Sequence, residues 1–212
     1  MQTSAKFWDG VAEKYAASPI KDMDAYTYSL GRTKTYLRPT DRLLEVGSGS
    51  GSTALLLAEH AGAITASDIS ANMTRIGTDK AREQGVANVR FVTADVLDDS
   101  LVGEPYDVVM ALNLLHLLED LDAALDRFNR MLKPGGLFIS KTICLSGPGT
   151  TFKYRVMRLA LPIMQCLGKA PYVNFMTIPE LEGRITAHGF KIIETGNYPA
   201  SPPSRYVVAR KD

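Results

Sequence analysis

Short apolar segments alternate with longer amphipathic ones through the middle of the chain. The apolar runs predict five β-strands, at residues 42–46, 63–67, 88–93, 106–111 and 137–141. The segments between them predict helices at residues 52–60, 70–84 and 121–132. Strands that alternate with helices through short links are typical of a parallel sheet covered by helices on both faces. Right-handed crossovers restrict such a sheet to a few doubly wound arrangements.

The two ends of the chain depart from this alternation. The first 40 residues are predicted to be mostly helical, with turns at Ser18-Pro19 and Arg38-Pro39. After the fifth strand the pattern predicts two helices, at 152–167 and 179–188, and then two strands, at 191–195 and 206–209. We therefore expect one domain over residues 1–212, with a helical cap at 1–40 and a helical lid inserted at 145–178.

A glycine-rich turn follows the first predicted strand, in the sequence LLEVGSGSG at residues 43–51. Gly47, Gly49 and Gly51 lie between a strand and a helix, where glycine allows positive φ and a close approach of the backbone to a ligand. The free N–H groups of the following helix point toward whatever occupies the turn. A tight turn made only for packing is the alternative, and the strand-then-helix context weighs against it. The GxxxxGK[ST] pattern of a P-loop is absent.

Three carboxylates accompany this turn at the expected carboxyl edge of the sheet. Asp68 ends the second strand and can accept hydrogen bonds from ribose hydroxyls; the alternative is a helix N-cap, for which Ser70 is the better candidate. Asp95 ends the third strand, where its carboxylate can accept from an adenine amine and the Val96 N–H can meet a ring nitrogen. With Glu45 they favour a cationic ligand over a pyrophosphate dinucleotide.

Five motifs in this order resemble those of the class I S-adenosylmethionine (SAM)-dependent methyltransferases. The resemblance is to the small enzymes similar to the ubiquinone/menaquinone C-methyltransferases, and it runs from about residue 7 to residue 210. The motifs that carry it are EVGSGSG (45–51), DISANM (68–73), TADV (93–96), YDVVMALNLLH (106–116) and LKPGG (132–136). The resemblance implies a Rossmann-like α/β fold with seven strands in the order 3-2-1-4-5-7-6, mostly parallel, with the last strand antiparallel.

The resemblance also implies SAM as the cofactor and assigns the residues that bind it. These residues are Glu45, Gly47, Ser48, Gly49, Asp68, Ile69, Met73, Asp95, Val96, Asn113 and Leu114. The segment FWDGVAEKY at 7–15 resembles the family's cap over the cofactor, which would place Tyr15 near the SAM carboxylate or sulfonium and make it a candidate catalytic residue. Simple helix packing is the alternative for Phe7 and Trp8.

Only one of the three histidines is a candidate general base. His60 and His188 are expected at helix ends, where a structural or solvated role suits them. His116 follows the fourth strand at the active-site edge, so it is the candidate catalytic base for an acceptor that must lose a proton. A packing role for His116 is the alternative.

The inserted segment is expected to cover the acceptor. Its apolar positions recur at helical spacing, at Phe152, Val156, Leu159, Ala160, Ile163, Met164 and Leu167. Three interpretations fit this stripe. It could pack in the core, it could form a lid over an apolar or aromatic acceptor, or it could be an interfacial helix that gives residues 152–167 peripheral membrane contact. Downstream, Tyr172 and Asn174 are candidates to orient a polar acceptor group.

Composition excludes several other classes of protein. The 24 Lys and Arg balance 23 Asp and Glu, giving a net charge of +1, so no global field attracts nucleic acid. Cys144 and Cys166 lack metal-ligand spacing, so we expect no metal site and reduced thiols in the cytoplasm. Residues 1–10 lack the apolar core of a signal peptide, so we expect none, and no apolar run in the sequence reaches membrane-spanning length.

The sequence therefore predicts a methyltransferase that uses SAM and a small, apolar or aromatic acceptor molecule. Two alternatives stay open at this point. One is a nicotinamide-dependent oxidoreductase, which shares the strand–glycine–helix–acid plan but usually has GxGxxG where this chain has GxGxG. The other is a SAM-binding module without catalytic activity.

Overall fold

The computed structural model describes residues 2–146, 160–165 and 168–212. Its seven strands are β1 (Arg42–Val46), β2 (Ala63–Asp68), β3 (Val89–Thr93), β4 (Tyr106–Leu112), β5 (Leu132–Ile143), β6 (Phe190–Asn197) and β7 (Ser204–Lys211). The longer helices are α1 (Gln2–Ala17), α2 (Met23–Lys34), α3 (Ser52–Leu57), α4 (Ala71–Glu83), α5 (Leu121–Met131) and α6 (Ile178–Ala187). Short 3₁₀ turns follow at Ala58–His60, Asp99–Leu101 and Leu115–Leu117.

The strands form one sheet in the order β3-β2-β1-β4-β5-β7-β6, as expected. The pairs that join β1, β2, β3, β4 and β5 are parallel, whereas β7 is antiparallel to both β5 and β6. The order reverses between β1 and β4, which is where ligands bind in open α/β sheets. The fold is the Rossmann-like one that the sequence predicted.

Helix starts are fixed by short polar side chains that accept hydrogen bonds from exposed backbone N–H groups. Asp22 caps α2, Ser70 caps α4 and Asp120 caps α5. Thr177 and Glu180 form a reciprocal capping box at the start of α6. The expectation that Ser70, and not Asp68, is the cap of the helix after β2 is confirmed.

Strand β5 differs most from its predicted bounds, since it begins at Leu132 and not at residue 137. Leu132 pairs with Tyr106, and the register then shifts before Val108 pairs with Leu137. The shift accommodates the Pro134-Gly135 turn, in which Gly135 has φ of 72°. The sequence signal of a turn was correct, but the turn is a bulge within the strand.

The core lies on both faces of the sheet because alternate strand residues point to opposite sides. On one face Leu44 and Phe138 pack with Phe128 of α5 and Leu181 of α6. Phe128 and Phe138 stack with their ring centroids 5.6 Å apart, and both side chains are fully buried. The other face carries Leu43 and further apolar residues that pack against α3.

Helix α2 is held against the far edge of the sheet by a charged cluster. The Arg32 guanidinium donates to Glu194 of β6, with Nε 2.9 Å from Oε1, and the Tyr36 hydroxyl donates to Glu194 Oε2 at 2.6 Å. The hydrogen bond from Arg32 holds the pKa of the Glu194 carboxyl below its usual range. Thr33 meets the buried Tyr206 hydroxyl at 3.2 Å, so α2 is fixed over β7 as well.

Most of the predicted lid helix at 152–167 lies outside the described residues. Residues 160–165 are helical, and within them Leu161 is buried while Ile163 and Met164 are 68% and 41% exposed. Ile163 and Met164 were predicted members of the apolar stripe, and the structure rules out core packing for these two. Across residues 2–146, 160–165 and 168–212, no helix has the length and apolar character to cross a membrane.

We expect Phe128→Ala to lower the free energy of unfolding by about 3–5 kcal/mol, because a fully buried aromatic side chain is lost from a close-packed face. Chemical denaturation measures the change. Leu56→Ala is the matched control, since Leu56 is 50% exposed and its truncation should cost no more than about 0.5 kcal/mol. Equal effects of the two substitutions would contradict this description of the core.

Candidate functional site

The glycine turn between β1 and α3 has the backbone conformation that its sequence predicted. Gly47, Gly49 and Gly51 have φ of 65°, 53° and 75°, in the left-handed region that favours glycine. A Cβ atom on Gly47 would lie 2.6 Å from Leu114 Cδ1, and one on Gly49 would lie 3.3 Å from Tyr15 Cε1. The turn therefore leaves room for a ligand only because these positions lack side chains.

Asp68 ties this turn to the end of β2. Its Oδ2 accepts the Gly49 N–H at 2.8 Å, and its Oδ1 accepts the Ser70 N–H at 2.9 Å. Burial raises the pKa of the Asp68 carboxyl even though these two hydrogen bonds oppose the shift. Each carboxylate oxygen can accept further hydrogen bonds, and Asp68 lines the adjoining cavity.

The cavity beside Asp68 has a volume of about 300 Å³ and contains most of the predicted cofactor residues. Those that line it are Gly47, Gly49, Asp68, Ile69, Met73, Asp95, Val96, Asn113 and Leu114. The candidate catalytic residue Tyr15 lines it too. The structure thus brings together residues from the ends of four strands and from α1.

The far wall of the cavity is formed by the ends of β3 and β4. Asp95 Oδ1 accepts the Leu97 N–H at 2.9 Å, which fixes the direction of the carboxylate. Asn113 has φ of 57°, an uncommon conformation for a non-glycine residue. Its N–H donates to the Lys141 carbonyl at 2.6 Å, so the start of the loop after β4 is fixed to β5.

Two predicted cofactor residues, Glu45 and Ser48, do not line the cavity. Glu45 is 2% exposed, and its Oε2 has no hydrogen-bond partner among the described residues; the same holds for the buried Ser48 hydroxyl. Burial, with a contribution from the nearby Asp68 charge, raises the pKa of Glu45 to about 8. Glu45 therefore lies behind the glycine turn as a buried acid without a counter-ion in this structure.

Helix α1 contributes to the wall of the cavity, and its role as a cap over a cofactor stays a prediction. Ser4, Trp8 and Tyr15 of α1 line the cavity, and burial beside Asp68 and Glu45 raises the pKa of the Tyr15 phenol. Asp9 holds the helix in place, since its Oδ1 accepts the Ser70 hydroxyl at 2.6 Å.

Asp9 was missed by the sequence analysis. Its Oδ1 also accepts the Asn72 N–H at 3.1 Å, so one carboxylate joins α1 to the start of α4. The only signal in the sequence for the role of Asp9 was its position beside Trp8, in a segment interpreted as a helix that packs or covers the cofactor.

His116 lies in the 3₁₀ turn Leu115–Leu117 but not in the cavity wall. Burial lowers its pKa to about 4, and its Nδ1 has no hydrogen-bond partner among the described residues. Its carbonyl accepts the Asn174 N–H at 2.7 Å. A catalytic role for His116 stays a prediction.

The segment after the lid contributes less to the cavity than expected. Pro171 lines it, whereas Tyr172 and Asn174, the candidates for orienting a polar acceptor group, do not. The wall near Pro171 is instead mainly apolar, with Leu112, Leu117 and Leu118. Glu119 and Asp120 add two carboxylates that the sequence analysis did not assign.

Comparison with known proteins agrees with this geometry. Residues 43–136 match a family model described as "Methyltransferase domain". A ubiquinone biosynthesis O-methyltransferase of Agrobacterium fabrum is 29% identical over 172 residues, which is 78% of this chain and 66% of that protein. The ubiquinone/menaquinone biosynthesis C-methyltransferase UbiE of Vibrio parahaemolyticus is 33% identical over 103 residues, covering 47% and 40% of the two chains.

Residues 43–136 are therefore similar to the methyltransferase-domain family, and the curated relatives that the chain matches are methyltransferases of quinone biosynthesis. The fold of magnesium protoporphyrin IX methyltransferase from Synechocystis, solved with bound SAH, superposes with a TM-score of 0.73 at 18% identity and covers 98% of both chains. The chain spans slightly less than two thirds of the Agrobacterium relative, 66% of its length.

The site fits SAM, the methyl donor of the proteins that this chain resembles. The turn at Gly47 and Gly49 has no side chains that would fill the space beside Leu114 and Tyr15. Asp68 presents a carboxylate suited to hydroxyl donors. The unpartnered Glu45 behind the turn would supply negative charge next to a site for a cation once it loses its proton.

The buried Glu45 predicts that SAM binding is coupled to proton release. With a pKa of about 8, Glu45 is mostly protonated at pH 7, and a bound cation should lower that pKa. We expect release of about one proton per SAM bound at pH 7, and an affinity that rises with pH up to about 8.

Calorimetry in buffers of different ionisation enthalpy measures the proton release. Glu45→Gln keeps the shape of the side chain and should abolish this part of the release, while Glu59→Gln, near the other end of the first crossover, should not. Identical proton release by the wild type and Glu45→Gln would show that Glu45 is not coupled to the ligand.

Proposed function

We propose that the chain transfers a methyl group from SAM to a small, apolar or aromatic acceptor. The observation that carries the proposal is the Asp68 carboxylate, which is fixed by the Gly49 and Ser70 N–H groups at the wall of a cavity that the glycine turn keeps open. A site for ribose hydroxyls requires such an acceptor, held in one orientation before the ligand arrives.

We propose distinct roles for the other residues at the cavity. Asp95 and Val96 at the end of β3 would contact the adenine, with Met73 packed near the ring. Asn113 and Leu114 would contact the methionine portion, and Tyr15 would lie over it from α1. Each of these residues lines the same cavity, which supports the assignment.

When bound, SAM supplies an electrophilic methyl group on a sulfonium that needs no further activation. The residues of the chain then have two tasks, to orient the two reactants and to exclude water. Trp8 and Tyr15 of α1 line the cavity, and Leu117, Leu118 and Pro171 add apolar surface to it. This surface favours an acceptor with an apolar or aromatic body.

The names of the relatives support the same class of acceptor. The Agrobacterium protein is named for O-methylation and the Vibrio protein for C-methylation, both in ubiquinone biosynthesis. We therefore propose ring compounds of this general kind as the first acceptors to test, without choosing between oxygen and carbon as the methylated atom.

The proposed ribose contact predicts that Asp68→Ala weakens SAM binding on the order of 100-fold, because charge-assisted hydrogen bonds are lost. Titration calorimetry measures the affinity. Asp99→Ala is the control, because the Asp99 side chain is 96% exposed. Both variants should remain folded by circular dichroism, and an unchanged SAM affinity of Asp68→Ala would contradict the ribose role.

Methyl transfer itself is tested with labelled SAM and a panel of hydroxylated aromatic and quinol acceptors. Incorporation of label into any member supports the enzyme, whereas tight SAM binding with no transfer to the panel or to a cell extract favours a non-catalytic SAM-binding module.

We also propose His116 as the general base for an acceptor that loses a proton. The imidazole is neutral at pH 7 and can accept a proton, although burial lowers its pKa to about 4 and so makes it a weaker base than an exposed histidine. His116→Gln should then lower kcat by about 100-fold or more and leave SAM affinity unchanged. A kcat within twofold of the wild type would assign His116 to packing.

A further inference from the structure

Strand β5 carries a charged residue in a position that otherwise belongs to the core. Lys141 is 8% exposed, and its neighbours on the same face of the sheet include Met110 and Ile139, which are fully buried. Burial lowers the pKa of the Lys141 ammonium, and only Asp22 opposes this shift. A methionine or leucine would fill the same space without the cost of removing a charge from water.

The hydrogen bond that Lys141 forms does not offset the free-energy cost of removing its charge from water. Its Nζ donates to the Ser29 hydroxyl at 3.1 Å. Ser29 uses its own proton toward the carbonyls of Ala25 and Tyr26, at 2.9 and 3.0 Å, and so is available to accept. Within the described part of the chain, no carboxylate forms an ion pair with Lys141, although buried charges in proteins are usually paired.

Lys141 does not itself line the cavity, but it lies beside two residues that do. It pairs in register with Leu112, which lines the cavity, and the two side chains lie on the same face of the sheet. The Lys141 carbonyl accepts the N–H of Asn113, which also lines the cavity. Lys141 therefore lies at the edge of the sheet where the methyl donor and the acceptor are proposed to meet.

Helix α2 connects the ammonium to the same edge. Tyr206 is the register partner of Lys141 and contacts Thr33 of α2. The Lys141 Nζ instead contacts Ser29, which lies one turn nearer the start of α2. Toward that start, Tyr26 bonds to Thr53 at the beginning of α3, which lies at the carboxyl edge of the sheet. The Lys141 side chain thus extends toward this edge.

We infer that Lys141 is a specificity-determining residue of the acceptor site, and that the acceptor carries a carboxylate which pairs with the Lys141 ammonium. The inference rests on the proposed methyltransferase function and narrows its substrate class to aromatic acids. A carboxylate would supply the missing counter-ion, while the apolar wall at Leu112, Leu117 and Leu118 would contact the ring.

The test compares acids with their neutral counterparts. The probes are hydroxylated benzoates and cinnamates, each paired with its methyl ester, and label transfer from SAM gives kcat/KM for each. We expect the wild type to prefer acids over esters by at least about tenfold, and Lys141→Met to lower kcat/KM for acids by about 10- to 100-fold while changing that for esters little. Lys141→Arg keeps the charge and should retain part of the preference.

Lys133→Met is the matched control, because Lys133 also belongs to β5 but pairs with Asp107 at the opposite edge of the sheet, with Nζ 2.6 Å from Oδ1. Melting temperatures show that each variant is folded. Binding of the same acids and esters to the SAH complex is a second measurement that needs no turnover.

The outcomes separate the inference from the function on which it rests. A wild type that does not bind SAM contradicts the proposed function. A wild type that binds SAM but shows no preference for acids, in turnover or in binding to the SAH complex, overturns the role of Lys141. An acid preference that survives in Lys141→Met also overturns it.

Discussion

The site depends on one short-range constraint, the carboxylate of Asp68 between two backbone N–H groups. By accepting from Gly49 and Ser70, it joins the glycine turn after β1 to the start of α4. Ser70 in turn caps α4 and donates to Asp9 of α1. The turn, the end of β2 and the covering helix are therefore fixed together through this residue.

Carboxyl groups are concentrated around a cavity that also has apolar lining residues. Glu45, Asp68 and Asp95 lie at or behind the ends of three neighbouring strands, and Glu45 has no cation beside it in the described structure. Such an arrangement is costly without a positively charged ligand. Lys141 on β5 is a buried cation without an ion-pair partner among the described residues. Together these groups support the proposal of a cationic donor beside an anionic acceptor.

The sequence predicted the features that are local or repeat along the chain. The parallel α/β class, the left-handed glycines and the strand-end carboxylates follow from alternation and turn chemistry, which single segments contain. The strand order came from the resemblance of five motifs to a known family. The residues whose roles the sequence did not reveal are positioned by contacts between segments that are distant along the chain. Asp9 meets residues about 60 positions away, and Lys141 meets Ser29 over 112 positions. The position of Glu45 behind the turn, and of His116 outside the cavity wall, likewise depends on how whole elements pack.

The most direct test of the account is a pair of titrations of the wild-type protein, one with SAM and one with NADH, in the same buffer. The account predicts saturable 1:1 binding of SAM and no binding of NADH, because the carboxylates around the cavity suit a cationic adenosyl ligand and repel a pyrophosphate. Tight binding of NADH in the absence of SAM binding would contradict it.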